Sequence, residues 1–198
     1  MRWSWDWRPW AARQCPVASE IVAALTLMAS TLPSPTLEAF EAVLSRHDSA
    51  TLALEEWCGV RDFAPRPASV TAQLVTSEDD VPLPAGIAAK LALSKDETAT
   101  LRNVRLSCGA RILSVAWNWY VPERLTPDMN RLLGSSDVPF GKAVASLRFR
   151  REPLAVTAGP AANCPAGTIS THQAMLYLPD GRPLAYLVEC YTAANLAP

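Results

Sequence analysis

At 198 residues, 49% of them apolar and 19% charged, the chain can bury a proper core as one domain and is too apolar for wholesale disorder. Its net charge of −1 excludes a global basic field for nucleic acid, so an anionic ligand would have to meet local arginines. The five cysteines (Cys15, Cys58, Cys108, Cys164, Cys190) form no C-x-x-C pair, which leaves zinc and thioredoxin-like chemistry without support.

Scattered cysteines of this kind are expected to be reduced thiols in a cytoplasmic protein, the alternative being one disulfide in an exported one. The first 33 residues read as an extension. Four tryptophans crowd Met1–Trp10, and the apolar run from Val17 to Leu32 is interrupted by Glu20. That run is too short for a membrane span, so no stable membrane insertion is expected. It is a tail, a helix or a signal segment; only the last would place the protein outside the cytoplasm. Residues 34–198 then form the domain.

Ser34-Pro35 reads as a helix start, with Leu37, Phe40, Val43 and Leu44 on one face. Asp48-Ser49 restarts the chain, and a second helix runs past Trp57 to Gly59 as its cap, so two helices occupy about 35–58. Ala68–Thr76 alternates as a strand, and residues 78–98 suit a loop with a short helix. Strands follow at Leu101–Cys108 and Arg111–Val121, joined by a tight turn at Cys108-Gly109-Ala110. Thr126-Pro127 opens a helix with Met129, Leu132 and Leu133 on one side, closed by Gly134. Further strands are expected at about 143–150, 168–178 and, after the Asp180-Gly181 hairpin turn, Leu184–Thr192. Runs of strands and runs of helices imply an α+β fold: about six mostly antiparallel strands flanked by helices.

Alternation singles out two residues. Arg102 shares a face with Val104, Leu106 and Cys108, and Glu189 shares one with Ala185, Leu187 and Tyr191. A buried guanidinium can grip a carboxylate with two hydrogen bonds, and a buried carboxylic acid can keep its proton near neutral pH. A salt bridge between Arg102 and Glu189, or strand ends reaching water, would account for both equally well. His172, beside Ala174 and Leu176, could point into the same cavity but reads first as a packed histidine. Trp117 and Trp119 look like core. Asn118 and Tyr120 lie on the opposite face beside small Ser114 and Ala116, where a ligand would find room.

The order LRNVRLSCGARILSVAWNWYVP (101–122), DVPFGKAV (137–144) and DGRPLAYLVE (180–189), with HDSATLALEEW at 47–57, resembles chorismate pyruvate-lyase. The likeness covers about 34–192 and rests on order and spacing, not on one distinctive motif. It implies a sheet and helices enclosing a ligand cavity, no cofactor and no metal. It also implies a small anionic substrate: elimination of pyruvate from chorismate to give 4-hydroxybenzoate, a step of ubiquinone biosynthesis. Arg102 matches the arginine that binds the ring carboxylate, and Glu189 the glutamate at the reacting end. Phe140 and Gly141 match the family's P-L-G turn, and Ala50 falls at a pocket methionine. Arg105, Arg111 and Lys142 are candidates for the second carboxylate. The Ala50 and Phe140 departures bear on the substrate more than on the fold. Ligand-sensing domains of bacterial transcription regulators share this fold, so a non-catalytic binding protein for a small aromatic or carboxylate ligand is the alternative.

Overall fold

The computed structural model describes residues 35–75, 83–135, 137–161 and 163–198; the expected N-terminal extension and the cap at Ser34 lie outside them. Helix α1 (Leu37–Leu44) is capped by Thr36, whose hydroxyl accepts from the Ala39 N–H at 3.1 Å. Helix α2 (Ala50–Val60) starts at the expected Ser49, whose Oγ accepts from Leu52 N–H. It runs through Gly59 and ends at Arg61, because Asp62 and not Gly59 takes the positive φ that stops the chain.

Among the described residues six strands form one antiparallel sheet: β1 (Val70–Leu74), β2 (Thr100–Cys108), β3 (Arg111–Tyr120), β4 (Arg150–Ala158), β5 (Thr168–Tyr177) and β6 (Pro183–Thr192). The order is β1-β2-β3-β6-β5-β4. The α+β class with a six-stranded antiparallel sheet and flanking helices is therefore as the pattern implied. Between β1 and β2 lies α3 (Ile87–Lys90); between β3 and β4 lie α4 (Pro127–Ser135) and α5 (Phe140–Ala143).

The strand expected at 143–150 is not formed. Residues 140–147 are helical instead, α5 followed by a 3-10 turn at Ala145–Leu147, and β4 begins only at Arg150. Phe140, Ala143, Val144 and Leu147 recur at spacings of three and four, a helical period, and Val144 N–H bonds to Phe140 O at 3.1 Å. In α4, Met129 and Leu133 are buried one turn apart while Leu132 is exposed, and the helix passes Gly134 to Ser135.

The sheet is covered on both faces. On one, α1 and α2 pack Phe40 against Trp57 and Tyr191, both with ring centroids 5.2 Å away. The α4–α5 segment buries Phe140, Met129 and Leu133 against Tyr120 and Leu187. On the other face, Trp117, Trp119, Tyr186 and Val188 lie under Ile87 and Leu91 of the α3 segment. The helix-covered first face carries Arg102, Asn118, Glu189 and His172, since Arg102 pairs with Asn118 and Glu189 with both Ala116 and His172.

Four of the cysteines are paired, not free. Cys58 of α2 joins Cys108 of β2, and Cys164 joins Cys190 of β6, with Cα–Cα distances of 6.4 and 5.6 Å. The expectation of reduced thiols is corrected: the partners lie 50 and 26 residues apart and meet only through tertiary packing, which spacing does not reveal. Among the described residues no helix is long and apolar enough to cross a membrane.

Candidate functional site

The α1–α2 connection crosses the first face of the sheet near β4, β5 and β6 and leaves a cavity of about 370 Å³. That is enough for a small organic molecule. Leu44, Ala50, Pro153, Val156 and Tyr191 give it apolar walls; Glu41, Asp48, Arg151 and His172 are among its polar lining. A second, inner cavity of about 30 Å³ lies beside it, lined by Ala50, Asn118, Phe140, Gly141, Arg151 and Glu189 among others. Its size suits a water molecule or two, not a ring. Ala50, Phe140, Gly141 and Glu189, which lie up to 139 residues apart in sequence, are thus gathered around one point.

Gly141 is there because nothing larger fits. A Cβ at this position would stand 2.5 Å from Ser49 Oγ, the hydroxyl that caps α2. The glycine lets α5 close on the start of α2 and sets the width of the inner cavity.

Glu189 and Arg102 do not pair. Glu189 on β6 is buried and held by Arg151 of β4: Nη1 donates to Oε1 at 3.1 Å and Nη2 to Oε2 at 2.6 Å. The Tyr191 hydroxyl donates a third bond to Oε2 at 3.0 Å. The three donors leave Glu189 about one of its roughly four accepting positions. Burial lowers the pKa of the Arg151 guanidinium, but the neighbouring Glu189 and Tyr191 raise it more, so the net shift is upward. Burial first, then Glu189, push the Tyr191 phenol well above its ordinary range. The Arg151 backbone N–H also donates to Asp48 Oδ1 at 3.1 Å, tying β4 to the α1–α2 connection.

Arg102 is buried two strands away from Glu189, across β3. Its Nε donates to Leu133 O and its Nη2 to Val138 O, each at 3.0 Å. Leu133 lies in the last turn of α4, so the guanidinium satisfies a terminal helix carbonyl and complements the helix dipole. Its Nη1 is buried without a hydrogen-bond partner. Burial lowers the pKa of this guanidinium.

His172 sits opposite Glu189 on β5 and lines the larger cavity. The Ser170 hydroxyl donates to Glu41 Oε1 at 2.8 Å, so the 3.1 Å contact between His172 Nε2 and Ser170 Oγ has the imidazole as donor. Burial lowers the histidine's pKa; Glu189 and Glu41 oppose this, and Arg151 reinforces it. His47 instead meets Glu56 at 2.6 Å, beside the Arg46–Glu56 ion pair. The candidate partners for a second carboxylate are not in the cavity linings. Lys142 pairs with Glu55, Arg111 stacks on Phe63 and donates to Pro198 O, and Arg105 is exposed.

Arg151 is the residue that sequence reading missed. It stands in R-F-R-R-E-P, and with the strand placed before 150 its alternation could not be read. Starting the strand at Arg150 puts Arg151 and Pro153 inward, and both line the larger cavity.

No protein-family model matches the chain. It is 37% identical over 176 residues to the uncharacterized protein y4mC of Sinorhizobium fredii, covering 79% of this chain and 73% of y4mC. Among solved structures, the effector domain of PhnF from Mycobacterium smegmatis superposes with a TM-score of 0.53 at 15% identity, covering 74% of this chain and 89% of that domain. The ligand-binding domain of a Bordetella bronchiseptica protein assigned to the GntR family of transcriptional regulators gives a TM-score of 0.45 at 18% identity, covering 63% and 83%.

Proposed function

The chain belongs to the family of the Sinorhizobium fredii protein y4mC, and we propose that its domain is a receptor that binds a small molecule without transforming it. The observation that carries this reading is the cavity of about 370 Å³ between the α1–α2 connection and strands β4–β6, apolar in its walls and charged at its base. The fold it shares with the PhnF effector domain agrees with that role. Glu189 supports binding over catalysis: its oxygens are occupied by Arg151 and Tyr191, and the inner cavity it faces is too small for a cyclohexadiene ring. Arg102 lines neither cavity; its Nη1 amino group is buried without a hydrogen-bond partner, and its other bonds hold the α4–α5 region, which speaks for a structural role.

Thermal unfolding with 4-hydroxybenzoate and related small carboxylic acids tests the proposal. A ligand at a hundred times its Kd adds about 2.7 kcal/mol of stability, which is a readily measured rise in Tm. Ala50 lines both cavities, and Ala50→Phe would fill that space. The variant should fold and lose the ligand-induced rise. Incubation with chorismate, followed by the absorbance of released 4-hydroxybenzoate, is the opposing measurement. Turnover would replace the receptor reading with the lyase one, and Glu189→Gln would then have to abolish it.

A further inference from the structure

Arg151 occupies an unusual position between the two cavities. It lines both, whereas Glu189 lines only the inner one. The guanidinium therefore stands between the space where a ligand fits and the carboxylate that neutralises it. Its backbone N–H donates to Asp48 Oδ1, which fixes the point of β4 from which the side chain reaches between the cavities. A guanidinium offers five N–H donors, of which Glu189 takes one on Nη1 and one on Nη2.

We propose that an anionic group of the ligand, entering through the larger cavity, competes with Glu189 for Arg151, so that Glu189 acts as an internal rival anion. This rests on the receptor reading and adds the ligand class: a small molecule with an apolar body and a carboxylate or equivalent anion. Glu189, once displaced, keeps the Tyr191 hydroxyl and turns into the inner cavity that it already faces. The acidic groups of the larger cavity do not fill the anion's place. Asp48 is engaged with the Arg151 backbone and Glu41 with Ser170.

The proposal predicts an effect of unusual sign. A carboxylate that contacts the ligand should weaken binding when it is neutralised. A rival should strengthen binding of anions when it is neutralised, because an internal competitor acts at a high effective concentration. Titration of the full chain with benzoate, benzamide and benzylamine reads this directly. Benzoate should bind Glu189→Gln at least about tenfold more tightly than the unsubstituted protein, with benzamide unchanged. Glu189→Gln leaves a buried guanidinium poorly paired and could unfold, so the charge-free pair Arg151→Met with Glu189→Leu gives an independent arm. That double variant should bind benzoate no better than benzamide.

Unchanged or weaker benzoate binding by a folded Glu189→Gln overturns the competition. So does a double variant that still prefers benzoate. If benzamide binds all forms and benzoate does no better, or if benzylamine binds best, the inference falls and the receptor reading stands. If none of the three binds the unsubstituted protein or either variant, both fall.

Discussion

At the scale of single residues, the two charges that alternation placed inside the sheet are inside it, but each has a different partner from the one considered. Alternation identifies a face and not a neighbour, and the strand between them separates Arg102 from Glu189. Arg102 holds two carbonyls from the α4–α5 region; Arg102→Leu should cost about 2–4 kcal/mol in denaturant unfolding through loss of those bonds. Gly141 admits no larger side chain against Ser49 Oγ. Gly141→Ala should lower stability by about 1–3 kcal/mol, and Ser49→Ala in the same background should recover part of that by removing the obstructing hydroxyl. Arg124 is a further case that periodicity conceals. Nearly buried, it bonds Glu97 with both Nε and Nη2, and also Leu91 O, Ala92 O and Pro183 O. The Arg124 guanidinium, with the Ser94 N–H, lowers the Glu97 pKa to about 2. A depressed carboxylate pKa contributes stability that is complete above the ordinary value near 4.5 and is lost as pH falls toward 2. Glu97→Gln should flatten that part of an acid-unfolding curve.

At the scale of elements, the strands β2, β3, β5 and β6 could be read from the sequence because each alternates or is apolar over nine or ten residues between recognisable turns. The error at 143–150 arose where three- and four-residue apolar spacing was taken for a strand, and it hid Arg151, which lines both cavities. With β4 begun too early, Arg151 had no assigned face, and the ion pair that floors the cavity stayed hidden. Ala50, Phe140 and Gly141 were found by resemblance, and the structure brings them around one inner cavity. Their physical reason for meeting, the close approach of α5 to the start of α2, depends on tertiary packing that no local pattern encodes.

At the scale of the whole molecule, the helix-covered face of the sheet concentrates its titratable groups in one place: Glu41, Asp48, Arg151, His172, Glu189 and Tyr191. His172 makes the fold responsive to mild acid. Its folded pKa lies below the ordinary histidine value near 6.5, so the neutral form is favoured by folding. Its contribution is present above that ordinary value and is lost as pH falls through it toward the folded pKa. Chemical unfolding between pH 8 and 5 should show stability falling below about pH 6.5, and His172→Gln should remove that decline while leaving the acid limb assigned to Glu97.

The two disulfides add a constraint in time. Their connectivity is consecutive: Cys58 with Cys108, then Cys164 with Cys190, neither loop nested in or crossing the other. Each loop can therefore close once its own stretch of chain has been made, without waiting for a cysteine of the other. The first loop fastens α2 to β2 and the second fastens the β4–β5 connection to β6, which steadies the elements that frame the larger cavity. A chain made in a reducing cell should lack both ties, unfold about 2–4 kcal/mol more readily for each, and regain stability on oxidation in vitro. Thiol titration of the unfolded, oxidised chain should then find at most one reactive cysteine, Cys15.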